Sequence, residues 1–305
     1  MIDRYFQFLG TEQTEKLLEA NERPLLTSIR TNTLKITSEE LNKKLTAKGF
    51  ELKPIDGIPD GFEVLNEPLN IGSLHEYLQG YYYLQNKASM LPAIVLDPKP
   101  KDIVIDMCAA PGSKATHLAQ LMRNEGFLIL IDFNKNRIPA LEMNIRRLGI
   151  FNSIIMNYNA IDLPKLNVKA DKILLDAPCT GEGLIIQDPK RKTSKSMRDL
   201  EKMAYIQKKL LKAGLNSLKN GGYLLYSTCS IAPEENEFVI NSVLKEKTEF
   251  SIKEIDTQYG VNGFSRVLGK SLLKDLKLTQ RFYPHLHNTI GFFMCLIQKH
   301  YEFKV

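Results

Sequence analysis

The chain has 305 residues, of which 43% are hydrophobic and 25% are charged, and it carries a net charge of +6 at pH 7. This apolar share excludes a disordered chain, and the length predicts either one large domain with an accessory part or two domains. The mild positive charge agrees with a nucleic-acid partner without requiring one.

Membrane, secreted and metal-binding classes find no support in the sequence. No apolar run approaches the roughly 18 residues of a membrane-spanning helix, and the first residues lack the basic start and apolar core of a signal peptide. The four cysteines are Cys108, Cys179, Cys229 and Cys295; none forms a C-x-x-C pair, and no His stands at zinc-finger spacing. We therefore expect a cytoplasmic protein with reduced thiols, no metal and a monomeric state.

Residues 1–95 are expected to form a small α+β domain followed by a connector. The pattern predicts helix over 1–23, strands over 26–34, 50–55 and 61–65, and a helix over 38–48 that starts with a capping box of Thr37 and Glu40. The connector, residues 66–95, contains Tyr77, Tyr81, Tyr82 and Tyr83. Such rings suit core packing or stacking on unpaired bases, so a structural role and an RNA contact both stay open.

Residues 96–305 alternate between apolar strands and helices. Strands are expected at 102–106, 127–132, 152–157, 171–176, 221–227 and 291–298, and helices at 114–124, 135–148, 197–219 and 234–246. This alternation predicts an α/β fold with a mostly parallel, Rossmann-like sheet and helices on both faces, closed by the last strand.

A turn after the first of these strands has the character of a cofactor site. It runs from Asp106 to Lys114 and leads into a helix, but Gly112 is its only glycine, unlike the G-x-G-x-x-G turn that holds a pyrophosphate. S-adenosylmethionine has no phosphate, and its carboxylate suits a helix N-terminus. Asp132, at the end of the next strand, suits its ribose hydroxyls, with a helix-capping role as the alternative.

Two cysteines follow strands at the edge of the sheet where ligands of such folds bind. Cys179 stands in the segment Asp176–Gly181, and Cys229 in Ser227–Ser230. Methyl transfer to carbon 5 of a pyrimidine requires a thiolate that first adds to carbon 6, and Asp176 is suited to contact ring nitrogen 3 of a cytosine. The spacing alone does not determine which cysteine attacks. Cys295 is expected to be a small buried apolar residue, as is Cys108 when taken alone.

Several segments, taken in order, resemble the Nop/Sun family of RNA 5-methylcytosine methyltransferases. They cover most of the chain, and its compact form resembles the archaeal tRNA methyltransferases of that family. The segments are Ile71-Gly72, Leu84–Met90, Asp106–Lys114, Asp176–Gly181, Ser227–Ser230, Pro233–Glu237 and Gly291–Phe293.

The resemblance implies a function and a set of site residues. It implies S-adenosylmethionine as cofactor and an RNA substrate, tRNA first and ribosomal RNA second. Cys229 would be the nucleophile, Cys179 would assist product release, and Asp176 and Lys114 would complete the catalytic set. The cofactor would be lined by Cys108, Ala109, Ala110, Pro111, Gly112, Ser113, Lys114, Asp132, Arg137, Asn159 and Asp176.

The chain departs from the family pattern at three places. Ser113 and Ala115 replace Gly and Thr of the usual Gly-Gly-Lys-Thr, Asn159 replaces an Asp that contacts adenine, and Ile290 replaces an Asp before Gly291. An Asn can still accept a hydrogen bond, whereas Ile290 cannot take a polar role.

A basic run, Lys190 to Lys195, follows the Cys179 segment and predicts either a phosphate-binding lid or a solvated surface. Two rival functions stay open. A DNA cytosine methyltransferase would use a Pro-Cys nucleophile at Cys179 without a second thiol. A catalytically silent RNA-binding protein would have lost Asp132, Asp176 or Cys229, and all three are present.

Overall fold

The computed structural model describes residues 2–255, 257 and 259–301. The α-helices are α1 (Ile2–Leu9), α2 (Thr11–Ala20), α3 (Ser38–Thr46), α4 (His75–Leu78), α5 (Lys87–Leu96), α6 (Ser113–Leu121), α7 (Ile138–Leu148), α8 (Met197–Asn216), α9 (Glu237–Leu244) and α10 (Pro284–His287). The first strands are β1 (Ser28–Thr31), β2 (Glu51–Pro54), β3 (Gly61–Asn66), β4 (Tyr82–Leu84), β5 (Ile103–Asp106), β6 (Phe127–Asp132), β7 (Ser153–Asn157) and β8 (Ala170–Asp176). The remaining strands are β9 (Leu218–Thr228), β10 (Phe250–Lys253), β11 (Val261–Asn262), β12 (Arg266–Val267), β13 (Lys270–Ser271), β14 (Gln280–Phe282) and β15 (Phe292–Lys299).

The chain divides into two compact units. The first unit comprises Met1–Leu25, Ile161–Lys169 and Leu175–Val305, and the second comprises Leu26–Ala160 and Ala170–Leu174. Strand β8 contributes its first five residues to the second unit and its last two to the first. The division near residue 95 that the sequence suggests groups the chain differently, and as a domain boundary it stays a proposal.

A small antiparallel sheet opens the second unit, with the strand order β2-β3-β1-β4. The expected capping box is present: Thr37 accepts a hydrogen bond from the backbone N–H of Glu40, and the Glu40 side chain accepts from that of Thr37. Helix α3 buries Leu41 and Leu45, which lie in one apolar cluster with Ile29, Phe50, Phe62 and Tyr82. The expected α+β arrangement is therefore present.

The tyrosine-rich connector contributes to this sheet. Residues 82–84 form β4, which pairs antiparallel with β1, and residues 87–96 form α5. Tyr82 is fully buried and donates a hydrogen bond to the carbonyl of Ile71 at 2.5 Å, while Tyr77 and Tyr81 pack against the same cluster. Tyr83 is buried as well, so all four tyrosines pack at least in part into the interior of the second unit.

Parallel strands form the rest of the second unit's sheet. Strand β5 pairs with β6 on one side and with β8 on the other, and β6 pairs with β7. Their central residues are buried and apolar, as the short hydrophobic runs predict. Asp106 and Asp132 stand at the carboxyl ends of β5 and β6, so they lie at one edge of the sheet.

The first unit's strands are antiparallel, which makes the fold a mixed α/β fold. Strand β15 pairs with β9, with β14 and with β10, and β14 pairs with β11. The expectation that the last strand closes the sheet is wrong, because strands lie on both sides of it. The additional strands are only two to four residues long, too short for a clear alternation of apolar residues.

Candidate active site

Hydrogen bonds connect the loop between β5 and α6 to the end of β6. The Ala109 N–H donates to the carbonyl of Ile131 at 2.8 Å, and the Ala110 N–H donates to the carboxylate of Asp132 at 3.1 Å. Asp106 accepts from the N–H of Cys108 at 3.2 Å. The loop residues expected to line a cofactor therefore lie beside Asp132.

The Asp132 carboxylate is held in place by contacts with neighbouring groups. Its second oxygen accepts from the Asn134 N–H at 2.9 Å, and the guanidinium of Arg137 lies 3.4 Å from the first. Arg137 also donates to the carbonyl of Ala110. A carboxylate offers about four acceptor positions, and the N–H groups of Ala110 and Asn134 take two of them, so acceptor positions are left for ribose hydroxyls. This carboxylate acceptor thus fits the ribose hydroxyls of S-adenosylmethionine.

The turn at Gly112 starts helix α6. Gly112 has a φ of 108°, and a Cβ at this position would lie 3.1 Å from a methyl group of Leu141. A side chain would therefore be strained as well as crowded. Ser113 and Lys114 are half-buried in the first helical turn, whose backbone N–H groups suit a carboxylate.

Arg30 of β1 is a residue of this site that sequence reasoning missed. It is fully buried and donates to the carbonyl of Ser113 at 3.1 Å and to the hydroxyl of Thr116 at 2.9 Å. Burial lowers the pKa of Arg30 to about 9. Asn144 similarly donates to the carbonyl of Pro111 at 2.9 Å. No local signal distinguishes either residue, because their partners lie far along the chain.

For the remaining residues expected at the cofactor, the structure gives little more than their degree of burial. Cys108 is half-buried in the loop, and Asn159 is half-buried after β7. The neighbouring Asn157 donates to the carbonyl of Asp132 at 2.9 Å. Ile290 is buried, in agreement with an apolar role.

We predict that Asp132→Ala weakens binding of S-adenosylmethionine about tenfold or more. Charge-assisted hydrogen bonds contribute about 1.5–3 kcal/mol, and this substitution removes those to the ribose. Calorimetry measures the affinity, with thermal unfolding as the control for the fold because Asp132 also fastens the loop. An unchanged affinity would contradict the ribose assignment.

The two cysteines singled out from the sequence lie together in the first unit. Their Sγ atoms are 3.0 Å apart, although the residues are separated by 50 positions in the chain. Both are free thiols and half-buried, whereas Cys295 is fully buried in β15. Asp176, at the end of β8 and three residues before Cys179, accepts a hydrogen bond at 2.8 Å from the hydroxyl of Ser227, which stands two residues before Cys229.

The electrostatics of the pair favour a protonated Cys179. Its hydrogen bond with Cys229 raises the pKa of Cys179 well above the ordinary value, and burial and the nearby carboxylates of Glu235 and Asp176 raise it further. The thiolate is the nucleophilic form of a cysteine, so the raised pKa makes Cys179 a poor nucleophile at neutral pH.

The segment Pro233–Glu237 holds both thiol loops. The Glu235 carboxylate accepts from the backbone N–H of Thr180 at 2.8 Å, from its hydroxyl at 2.6 Å and from the Gln207 amide at 3.2 Å. Asn236 donates to the carbonyl of Ser230 at 2.9 Å and accepts from the hydroxyl of Thr228 at 2.6 Å. Glu235 thus fixes the residue after Cys179, and Asn236 fixes both neighbours of Cys229.

Backbone hydrogen bonds also connect the two thiol loops with each other and with the segment at Gly291. The Gly183 N–H donates to the carbonyl of Cys229 at 3.0 Å, and the Gly291 N–H donates to the carbonyl of Gly183 at 2.9 Å. A Cβ on Gly183 would lie 2.0 Å from the carbonyl oxygen of Gly291. A Cβ on Gly291 would in turn lie 2.7 Å from the Cα of Gly183, so this close backbone approach requires glycine at both positions.

Glu182 is a buried carboxylate next to the thiols. Arg4 lies 3.3 Å from one of its oxygens and Tyr5 donates to the other at 3.3 Å, while Arg4 also pairs with Glu234 at 2.7 Å. Burial raises the pKa of Glu182 to about 7, although the Arg4 charge opposes this. Helix α1 is thereby tied to the loop that carries Cys179.

We predict that the free energy of unfolding falls between about pH 4.5 and pH 7. In this window the folded state binds more protons at Glu182 than the unfolded state, so stability is lost as the pH rises through the folded pKa. The shift corresponds to on the order of 3 kcal/mol. Urea unfolding at several pH values measures it, and Glu182→Gln should flatten the decline. An equal decline in the variant would contradict the assignment.

The residues of the basic run, Lys190 to Lys195, lie in different environments. Arg191 donates to the carbonyl of Thr180 at 3.0 Å and lies 3.1 Å from Asp188, and Lys192 pairs with Glu22. Lys190 is exposed. Arg191 thus supports the Cys179 loop, so the run does not behave as a single solvated surface.

Two other kinds of site are absent from the residues that the structure describes. Within 2–255, 257 and 259–301, no three His, Cys, Asp or Glu side chains are grouped as metal ligands would be. In the same ranges, no helix combines the length and apolarity needed to cross a membrane.

Comparison with known proteins agrees with this architecture. Residues 93–298 match the family model of the 16S rRNA methyltransferase RsmB/F, and residues 1–87 match that of the N-terminal domain of 16S rRNA methyltransferase RsmF. A crystal structure described as NSun6 from Pyrococcus horikoshii with SFG, an S-adenosylmethionine analogue, is 29% identical, with a TM-score of 0.88 over 99% of this chain and 98% of that one. The fold is therefore that of an S-adenosylmethionine-dependent methyltransferase. The chain belongs to the RsmB/F family of methyltransferases, which confirms the resemblance to the Nop/Sun enzymes.

Two curated relatives give the range of named activities. The 25S rRNA (cytosine-C(5))-methyltransferase nop2 of Schizosaccharomyces pombe is 39% identical over 98% of this chain and 50% of its own length. The tRNA (cytosine(72)-C(5))-methyltransferase of Pyrococcus horikoshii is 40% identical over 75% of this chain and 55% of its own length. This chain thus spans about half the length of each of these relatives.

Proposed function

We propose that this protein methylates carbon 5 of cytosine in structured RNA, using S-adenosylmethionine. The contact between Cys179 and Cys229 carries the proposal, because two thiols in one site suit addition to a pyrimidine ring followed by elimination. The family membership and the names of the relatives support the same reaction class.

In this mechanism the protein's own residues prepare and release the base. The Cys229 thiolate forms a bond to carbon 6, and the electron pair displaced from the ring makes carbon 5 nucleophilic. Asp176, acting as an acid, donates a proton to ring nitrogen 3 and so neutralises the negative charge that develops there. S-adenosylmethionine supplies the electrophilic methyl group. After transfer, a water molecule at Cys179 takes the proton from carbon 5. The electron pair of that C–H bond restores the ring double bond, and the bond between Cys229 and carbon 6 breaks, which returns the electron pair to the Cys229 thiolate.

Binding of S-adenosylmethionine is assigned to the second unit's residues. Asp132 would accept from the ribose hydroxyls, with Arg137 orienting it, and the first turn of α6 with Ser113 and Lys114 would receive the carboxylate. Cys108 to Gly112 would line the same loop, and Asn159 would face the adenine.

The RNA class is the finer part of the proposal. The sequence favours tRNA, whereas the relative that matches 98% of this chain is named for ribosomal RNA and the tRNA enzyme matches 75%. We therefore place ribosomal RNA beside tRNA as a substrate. A cytoplasmic location and a monomeric state stay predictions.

Labelled S-adenosylmethionine with purified tRNA and ribosomal RNA tests the proposal. We expect 5-methylcytosine in one of the two, mapped to a defined nucleotide, and none when Cys229 is replaced by Ala. Absence of methylation in both RNA pools and in ribosomal subunits would overturn it.

A further inference from the structure

We propose that the exposed face of helix α8 is an RNA-binding surface; this rests on the RNA substrate proposed above. Residues 190–212 contain nine Lys or Arg and two Asp or Glu, a net charge of +7. The whole chain has 41 and 35 and carries +6, so all other residues together carry −1. The positive charge of the protein is therefore concentrated in this one segment.

Five exposed residues form a stripe on α8, which we call the α8 stripe: Arg198, Lys202, Tyr205, Lys209 and Lys212. Their spacings of four, three, four and three place them on one helical face. At 1.5 Å per residue the stripe is about 21 Å long. Four cations aligned over this length match a chain of phosphates.

Tyr205 adds a second kind of contact. It is 60% exposed, and the Lys209 ammonium lies 4.3 Å from the centre of its ring. An exposed ring beside cations is the combination with which proteins bind single-stranded nucleic acid, because a base stacks on the ring while the cations meet the backbone.

The opposite face of α8 excludes a membrane as the partner. An interfacial helix must present an apolar face to lipid. In α8 that face is packed inside the first unit, with the following residues buried: Leu200, Ala204, Gln207, Leu210, Leu211, Ala213, Gly214 and Leu215. An acidic protein could bind the cations but would not require the exposed Tyr205 ring. RNA is therefore the partner that uses both the cations and the ring of the α8 stripe.

The helix also reaches the thiol site. On its buried face, the Gln207 amide donates to the carbonyl of Pro178 at 2.8 Å and to Glu235 at 3.2 Å. RNA held on the α8 stripe is thus bound to the helix that contacts the residue before Cys179. The stripe would hold nucleotides flanking the target cytosine.

A charge-removal variant tests the proposal by RNA binding measured without S-adenosylmethionine. The variant is Arg198→Gln with Lys202→Gln, Lys209→Gln and Lys212→Gln; glutamine keeps the helix propensity. Filter binding of bulk tRNA and of ribosomal RNA is measured from about 50 to 200 mM salt, the range in which phosphate contacts dominate. We expect the slope of log affinity against log salt to become shallower by about 3, since each lost phosphate contact removes about 0.7–0.9.

The matched control removes the same charge from the same unit. It is Arg266→Gln with Lys270→Gln, Lys274→Gln and Lys277→Gln, all at exposed positions, and it should keep the wild-type slope. If the quadruple α8 variant does not fold, Lys202→Gln with Lys209→Gln should give about half the change. A slope equal to wild type in the folded variant overturns the proposal.

Two further readouts identify the occupant. Tyr205→Ala should weaken binding of a single-stranded oligonucleotide several-fold, and Tyr205→Phe should not, because the ring is retained. Unchanged RNA binding with loss of binding to phosphatidylserine vesicles or to polyglutamate would overturn the RNA assignment. Loss of RNA binding in the variant, when wild type binds but methylates no RNA, would support the stripe and contradict the proposed function.

Discussion

Replacing Cys229 by Ala is expected to abolish methylation and every covalent enzyme–RNA species. Addition to carbon 6 needs one thiolate, and the raised pKa of Cys179 keeps the other thiol protonated. Cys179→Ala should still attack and methylate but stall with RNA attached, because the elimination step lacks its second group. Denaturing gels with RNA and S-adenosylmethionine separate the two variants.

Cys295→Ala is the matched control, since this thiol is buried in β15 and should be silent in the assay. Alkylation gives an independent measurement without RNA: iodoacetamide should modify Cys229 before Cys179 at neutral pH, since the thiolate is the reactive form and the raised pKa of Cys179 lowers its thiolate fraction. A shifted band in Cys229→Ala together with none in Cys179→Ala would reverse the two roles.

Glu235→Gln should lower the methylation rate by about ten- to a hundredfold while leaving RNA affinity unchanged. The glutamine keeps the size but turns one acceptor into a donor facing the Thr180 N–H and hydroxyl, so the loop that carries Cys179 shifts. A hundredfold loss corresponds to about 2.7 kcal/mol of transition-state stabilisation. Single-turnover kinetics with filter binding separates rate from affinity.

If Glu235 positions the Cys179 loop, the Glu235→Gln variant should also show altered reactivity of the two thiols. The ratio of Cys179 to Cys229 alkylation rates should change, since only the Cys179 loop is released, whereas general destabilisation would raise both rates. Glu246→Gln serves as the control, because that carboxylate is exposed and pairs with Lys245 at the surface. Wild-type kinetics and an unchanged alkylation ratio in Glu235→Gln would contradict the role of Glu235.

The sequence predicted the helices and strands wherever its apolar pattern was long. Strand β6 and helix α8 begin at the residues expected, and the capping box of Thr37 and Glu40 is present, because such features depend on neighbouring residues. Helix α9 begins three residues later than expected, at Glu237, since Pro233 to Asn236 form the turn that holds the thiol loops.

The candidate residues could be selected from the sequence because their chemistry is local to short segments. A cysteine after a strand, a carboxylate at a strand end and a glycine in a turn are each visible without the fold. The 3.0 Å contact of Cys179 with Cys229 could not be predicted from the sequence, because it joins two loops separated by 50 residues.

Only the tertiary structure identified the residues that hold these side chains in place. Arg30 contacts α6 across 83 residues, and Glu235 contacts Thr180 across 55. Neither partner can be inferred from spacing, since a hydrogen bond between distant segments depends on how the chain packs. The sequence by itself thus determined the longer strands and helices and the reactive groups. The short strands, the division of the expected helix 1–23 into α1 and α2, the burial and hydrogen bonds of the reactive groups and the raised pKa of Cys179 were decided by the packing of segments that are distant in the chain.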